Sequence, residues 1–212
     1  MDPADRPWAQ VLGDQAGSGS KQPAQRERRF RQLDIRSGAR ARPEVVADGL
    51  TELPSGIELR PTESADRDFL LSVFESSRAD ELALVAWSDA DKRAFVTSQF
   101  DAQDTYYRQT YPDGQFLVIL VDGERVGRLY LGRIDDELRV IDIALLPDHR
   151  GRGIGSSLLM WTTAIADSEG RSVTLHVEPW NPAKRLYERL GFASEGPRGI
   201  YEFMRRPASG LS

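Results

Sequence analysis

Apolar residues recur along this chain with two different periods, and the switches between them mark out its elements. Before about Leu50 no sustained period is present. Ile57-Glu58-Leu59-Arg60 alternates apolar and polar, as a half-buried strand does, and stops at Pro61. Beyond Ser64, a residue able to cap, Phe69, Leu70, Val73 and Phe74 fall on one side of a predicted helix. A second helix is predicted from Ser88, which with Asp91 imitates a capping box. It runs through Phe95 and Phe100 towards Tyr107 and ends before Pro112. The run 116–121 is β-branched and aromatic, Asp122-Gly123 is a hairpin turn, and 125–134 returns as its partner. Asp135-Asp136 turns the chain into a strand over 138–146.

A helix follows over about 153–169, with Ile154, Leu158, Trp161 and Ile165 in one stripe, and Gly170 ends it. Residues 173–177 read as a strand. Asn181 and Pro182 suit the start of a helix in which Ala183, Leu186, Tyr187 and Leu190 share a face. Residues 192–195 and 200–205 fit a closing hairpin around Gly196-Pro197-Arg198-Gly199. An antiparallel meander followed by a βαβ unit predicts a mixed α/β sheet covered by helices.

Composition narrows the functional classes. At 212 residues, 40% apolar and 29% charged, the chain fits one ordinary domain plus a tail, or two small ones. It has no cysteine, which removes disulfides, thiolate metal sites and a cysteine nucleophile. Its two histidines, His149 and His176, cannot build a His-rich zinc site, and we expect no metal. No run approaches the ~18 uncharged apolar residues of a membrane span, so no membrane role is expected. A net charge of −5 argues against a general nucleic-acid binder.

The first fifty residues hold nine basic and seven acidic residues, leaving −7 on the remaining 162. Residues 17–23 read as linker. The basic run Arg26, Arg28, Arg29 and Arg31 reads as a solvated tail, because aromatic residues scarcely interleave it. We therefore expect residues 1–50 to be flexible or poorly structured, and 51–212 to be one domain. Met1–Leu12 lacks the apolar core of a secretory signal, which predicts a cytoplasmic protein.

The segment that carries chemistry is Ile143-Ala144-Leu145-Leu146-Pro147-Asp148-His149-Arg150-Gly151-Arg152-Gly153-Ile154-Gly155. A strand runs into a glycine-rich loop that opens a helix. Backbone N–H groups at such a helix start point outward, the dipole there is positive, and glycine lets a ligand approach the backbone. The prediction is a phosphate or pyrophosphate site. A P-loop requires a lysine that Gly155-Ser156-Ser157 lacks. A dinucleotide fingerprint requires a third glycine where Ser156 stands, and its βαβ unit would normally come first in the domain. A turn serving only helix–strand packing is the plainest alternative.

Arg150-x-x-Gly153-x-Gly155 resembles the acetyl-CoA motif of the GNAT superfamily of N-acetyltransferases. A second match follows: Leu175-His176-Val177, then Asn181-Pro182-Ala183-Lys184-Arg185-Leu186-Tyr187-Glu188-Arg189-Leu190-Gly191-Phe192. The resemblance spans about residues 56–205. It implies a GNAT-like α/β fold: a mixed, mostly antiparallel central sheet with splayed middle strands and helices on both faces. It also implies acetyl-CoA as co-substrate and a primary amine, on a small molecule or a peptide or protein, as acceptor. A monomer or homodimer is expected. A non-catalytic CoA-binding or interaction module on the same fold is the alternative.

Carried onto this chain, the resemblance implies that the strand residues Ile143, Ala144 and Leu145 hold the pantetheine arm and the thioester carbonyl. The main-chain N–H groups of Arg150, Gly151, Arg152, Gly153, Ile154, Gly155 and Ser156 would cradle the pyrophosphate. Asn181 would touch the cofactor from the other strand, although it stands six residues before Tyr187 where many relatives have seven. Tyr187 would protonate the departing thiolate.

The attacking amine is mostly protonated at pH 7, so a base must take its proton, directly or through water. Strand alternation puts His176 and Glu178 on one face, and Asp142 precedes the proposed cofactor strand. The base is expected at His176 helped by Glu178, with Asp142 as a third candidate. Acceptor recognition falls to residues 78–111, where Glu81, Trp87, Tyr106, Tyr107 and Arg108 are candidates to line a pocket.

Overall fold

The computed structural model describes residues 53–209. Expectations for residues 1–50 lie outside the described residues.

Among the described residues, seven strands form one sheet. They are β1 (Ile57–Pro61), β2 (Gln115–Val121), β3 (Glu124–Ile134), β4 (Glu137–Leu145), β5 (Ser172–Val177), β6 (Ala193–Arg198) and β7 (Tyr201–Arg206). Their order across the sheet is β1-β2-β3-β4-β5-β7-β6. Only the β4–β5 pair is parallel, as a βαβ crossover requires; the other pairs are antiparallel. The helices are α1 (Arg67–Ser77), α2 (Ala79–Ala83), α3 (Asp89–Thr110), α4 (Ile154–Ser168) and α5 (Lys184–Arg189). The expected mixed, mostly antiparallel sheet is present, with its tight hairpin at Asp122-Gly123.

Three local differences have plain causes. A short helix, α2, stands between the two that periodicity predicts; five residues are too few to show a period. Ser64 does not cap. The chain first makes a 3-10 turn over Ser64–Asp66, closed by Glu63 and Asp66 in a reciprocal capping pair. The closing hairpin turns at Gly199-Ile200, at the end of the expected Gly196-Pro197-Arg198-Gly199 stretch, because β6 extends to Arg198 through an irregularity between Ser194 and Pro197.

The two faces of the sheet are built differently. One face carries Leu129, Leu131, Leu138, Val140, Val173, Leu175 and Met204 under the Ile154, Leu158, Trp161 and Ile165 stripe of α4, all buried. On the other face α1 and α3 pack together through Leu70, Phe74, Val96 and Phe100. The sheet surface on that side holds Arg128 and Arg139, both buried, with Thr174 and Phe203.

A bulge sets up the site. Tyr130 pairs with Asp142, but the next β3 residue, Leu131, pairs with Val140, so Ile141 is an extra residue in β4. Strict alternation from Leu138 and Val140 would turn Asp142 onto the apolar face. The extra residue sends it to the opposite face, where Arg128 waits. β4–β5 pairing also ends at Val140↔Leu175, immediately before the bulge. Beyond that point β4 runs on to Leu145 and β5 to Val177 without pairing to each other, so the sheet is open between its central strands.

Candidate active site

The opening between β4 and β5 is a cleft of about 210 Å3. It gathers side chains far apart in the chain: Asp142, His176, Glu178, Asn181 and Tyr187, together with Arg78 and Glu81 from the α1–α2 region. Gln103 and Tyr107 of α3, Arg128 of β3 and Tyr201 of β7 also line it.

The open edge of β4 follows from ladder geometry. Leu146 N–H donates to the Val126 carbonyl (2.9 Å), so by antiparallel alternation Ala144 also points its backbone groups at β3. Ile143 and Leu145 then point theirs into the gap. In keeping with this parity, the Leu145 carbonyl accepts from Arg150 Nε at 2.8 Å. Ile143 is left with a donor and an acceptor facing the gap, and Leu145 with a donor. Ala144 contributes its side chain to the lining instead of a backbone contact.

The glycine-rich loop adopts the geometry its composition allows. Gly151 (φ 71°) and Gly153 (φ 84°) are left-handed, a backbone that other residues rarely adopt. A Cβ built on Gly151, Gly153 or Gly155 meets nothing within 4 Å, so the main chain lies bare on its outer side. The first intrahelical bond of α4 is Ser157 N–H to the Gly153 carbonyl (2.9 Å), and the N–H groups of Ile154, Gly155 and Ser156 have no intrahelical acceptor. Arg150 departs from expectation. Its N–H already donates to the Pro147 carbonyl (3.1 Å), and its guanidinium is tied to Leu145 and to Ser76 of α1. It braces the loop against β4 and α1, and the bare main chain lies within residues 151–156.

Asn181 is similarly half engaged. Its Oδ1 accepts from Ala183 N–H (2.9 Å), which starts the turn into α5 and leaves its amide NH2 as the free end. One turn later α5 brings Tyr187 into the cleft. Tyr187 is buried, packs on Phe192 (ring centroids 5.9 Å apart) and has its pKa pushed up to about 12 by burial, then by Asp142. The phenol therefore holds its proton at neutral pH and is a donor.

The three base candidates fare differently. Asp142 accepts from Arg128 at 2.6 Å, and Arg128 also donates to Gln103 (3.0 Å) and lies over Tyr130. Asp142 thus serves as counter-ion to a buried arginine that carried no signal in the sequence.

His176 opens to the cleft while Phe203 (5.0 Å) and Tyr201 (6.3 Å) crowd its ring. Burial, then Arg139 and Arg198, lower its pKa to about 4. Arg139 Nη1 lies 3.5 Å from Nδ1 and can only donate, which favours the tautomer with its proton on Nε2. Neither ring nitrogen then keeps a lone pair for the substrate. Glu178 lines the cleft just beyond β5. Its carboxylate also lies in the field of Tyr201, whose pKa is raised by burial and then by Glu178.

Of the residues expected at the acceptor end, Glu81 and Tyr107 line the cleft. Trp87 is exposed and stacks edge-on against Phe95, Tyr106 is exposed, and Arg108 pairs with Asp104 and covers Phe116. Arg128, Gln103 and Tyr201 went unpredicted. One sequence signal was available for the bulge that organises them: the apolar phase of β4 slips from Leu138 and Val140 to Ile143 and Leu145.

Among the described residues, no helix is long and apolar enough to cross a membrane and no cluster of three potential metal ligands occurs.

Residues 79–192, more than half of the chain, match the model of the Acetyltransferase (GNAT) family. A Bacillus subtilis (strain 168) protein with the provisional name ribosomal protein bS18 alanine N-acetyltransferase is 28% identical over 103 residues, covering 47% of this chain and 68% of that protein. A mycothiol acetyltransferase of Brachybacterium faecium is 27% identical over 229 residues, covering 89% and 68%. Among solved structures, the PaiA N-acetyltransferase of Thermoplasma acidophilum, in complex with coenzyme A, superposes with a TM-score of 0.56 at 22% identity, covering 71% of this chain and 98% of that one. An acetyltransferase from Thermus thermophilus gives 0.53 at 21% identity, with 71% and 96% covered. These two share the fold.

Proposed function

The chain belongs to the Acetyltransferase (GNAT) family, and on that premise we propose that it moves an acetyl group from acetyl-CoA to a primary amine by direct attack. The observation that carries the reading is the opened β4 edge, which leads into the bare loop at residues 151–156 and lines one cleft with the protonated Tyr187. A pantetheine arm is a chain of amides, and Ile143 and Leu145 offer it the hydrogen bonds that β5 has relinquished. A pyrophosphate matches the N–H groups and positive dipole at the start of α4. The residues present fit acetyl-CoA, which supplies the activated acetyl group as a thioester.

Three roles follow for this chain's own groups. A backbone N–H on the open β4 edge, that of Leu145 or its neighbour, stabilises negative charge developing on the thioester oxygen. The Tyr187 hydroxyl gives its proton to the departing sulfur. The attacking amine loses its proton to Glu178, directly or through one water, while His176 stays neutral as a wall of the cleft. In this reading the base shifts from His176 to Glu178, because Arg139 occupies Nδ1.

The test is thiol release from acetyl-CoA across a library of small amines and peptide N-termini, with mass spectrometry of the products. N-acetylated product supports the reading. A protein that binds CoA yet acetylates no amine in the library refutes it in favour of a binding module.

A further inference from the structure

The sheet face beside the cleft is rich in arginine, and all but one of its guanidiniums have a carboxylate. Arg128 has Asp142, Arg139 has Glu137, and Arg205 has Glu137 and Glu195. Arg198 makes no ion pair and no hydrogen bond with another described residue. It is nevertheless held in place. It stands on β6 directly opposite Tyr201 of β7, and its guanidinium lies 3.5 Å from the ring centroid of the fully buried Phe203. A planar guanidinium stacked on an aromatic face keeps its N–H edge free for an anion.

Arg198 stands just outside the cleft lining, and the ring it covers leads to the cleft wall. Phe203 pairs with His176 across β5–β7, and His176 and Tyr201 both line the cleft. The neutral His176 offers Nε2–H, since Arg139 takes the other nitrogen. Arg139 and Arg198 also disfavour a positive charge on His176, which reports a positive field at this wall. The acids of the cleft, Glu81, Asp142 and Glu178, lie among its other lining residues.

The geometry points to an anion subsite on the β5–β7 wall, where Arg198, with His176 Nε2–H beside it, receives a carboxylate carried by the acetyl acceptor. This rests on the acetyltransferase reading and narrows it. The acceptor is an amine that also bears a carboxylate, with its amino group towards Glu178 and its acid towards Arg198. Free amino acids and peptides with an acidic side chain near the N-terminus share that chemistry.

The test measures kcat/KM for ω-amino acids from glycine to 6-aminohexanoate against n-alkylamines of matching length. A second arm compares Ala-Glu-Ala-Ala with Ala-Gln-Ala-Ala, and tells free amino acids from peptides. At least one acidic member is expected to exceed its neutral partner by about tenfold or more, chiefly through KM. In Arg198→Gln that ratio falls below about threefold, and Arg198→Lys keeps part of it.

Circular dichroism checks that each variant is folded. Calorimetry of the same acceptor pairs with CoA-saturated wild-type protein gives a readout that needs neither turnover nor a variant, and the acidic member is expected to bind more tightly. Acetylation without preference for the acidic member, or a preference that survives in Arg198→Gln, overturns the subsite and leaves the acetyltransferase reading standing. Absence of turnover with every acceptor overturns that reading, and the calorimetric pairs then decide the subsite alone.

Discussion

The two faces of the central sheet perform different work and rest on different physics. The face under α4 is continuous hydrocarbon, stabilised by burial that any well-fitting apolar side chain provides. The opposite face buries Arg128 and Arg139 among aromatic rings and answers them with Asp142 and Glu137. Taking a guanidinium out of water costs several kcal/mol, so such a face is a weak source of stability and a strong source of specific geometry. The comparison teaches where the chemistry sits. The charged side chains of the cleft gather on the costly face, while Tyr187 reaches the same cleft from the apolar cluster.

The sharpest test of that division is Tyr187→Phe, which keeps the ring in its packing on Phe192 and removes only the acid. kcat should fall about 10²–10⁴-fold while CoA affinity measured by calorimetry stays similar. Near-full kcat, with chemistry shown to limit the rate, would break the assignment.

Next in size is a contrast of stabilities. Leu158→Ala on the apolar face should cost about 2–5 kcal/mol by denaturant unfolding. Arg128→Met should cost about 3–5 kcal/mol, because it strands Asp142 without its partner. Adding Asp142→Leu to Arg128→Met should recover most of that loss if the pair serves geometry more than stability. A double variant as unstable as the single one would erase the distinction between the faces.

A smaller effect is expected at the loop. Gly155 has no left-handed backbone and open space around its Cβ, so Gly155→Glu should fold normally. Its side chain and charge would occupy the proposed pyrophosphate position, and CoA affinity should drop by about tenfold or more. Undiminished affinity in the folded variant would remove the cradle from residues 151–156.

The smallest effect is at His176. Its imidazole should titrate in an NMR experiment with a midpoint near the lowered value of about 4, well below the ordinary range near 6.5. The sign follows from the depressed pKa. The unfolded chain takes up this proton first, so stability drawn from the neutral ring is complete above about pH 6.5. It declines as pH falls towards 4. His176→Gln should leave the pH profile of kcat/KM above pH 5 unchanged. A midpoint between 6 and 7, with a matching limb lost in the variant, would return the base to His176.

Much of this was legible before any coordinates. The hairpin turn at Asp122-Gly123, the α4 stripe and the helix that presents Tyr187 are local features, in which each residue's neighbours lie within one or two turns of it. The loop 151–156 and the residues Asn181 and Tyr187 belong to contiguous motifs for the same reason. The partners of Arg150, Leu145 and Ser76, were not legible there, because packing decides them. Glycine spacing says nothing about which way an arginine turns.

The sequence by itself therefore determined the order of elements, the mixed sheet and the glycine-rich loop that opens α4, because period and turn chemistry act over short range. Tertiary structure alone decided the electrostatics. The extra residue Ile141 turns Asp142 to face Arg128, fourteen positions away, the β5–β7 register sets His176 against Phe203, and the β6–β7 register sets Arg198 over that ring. A charge's role depends on what surrounds it in three dimensions, and strand pairing between distant segments settles those surroundings.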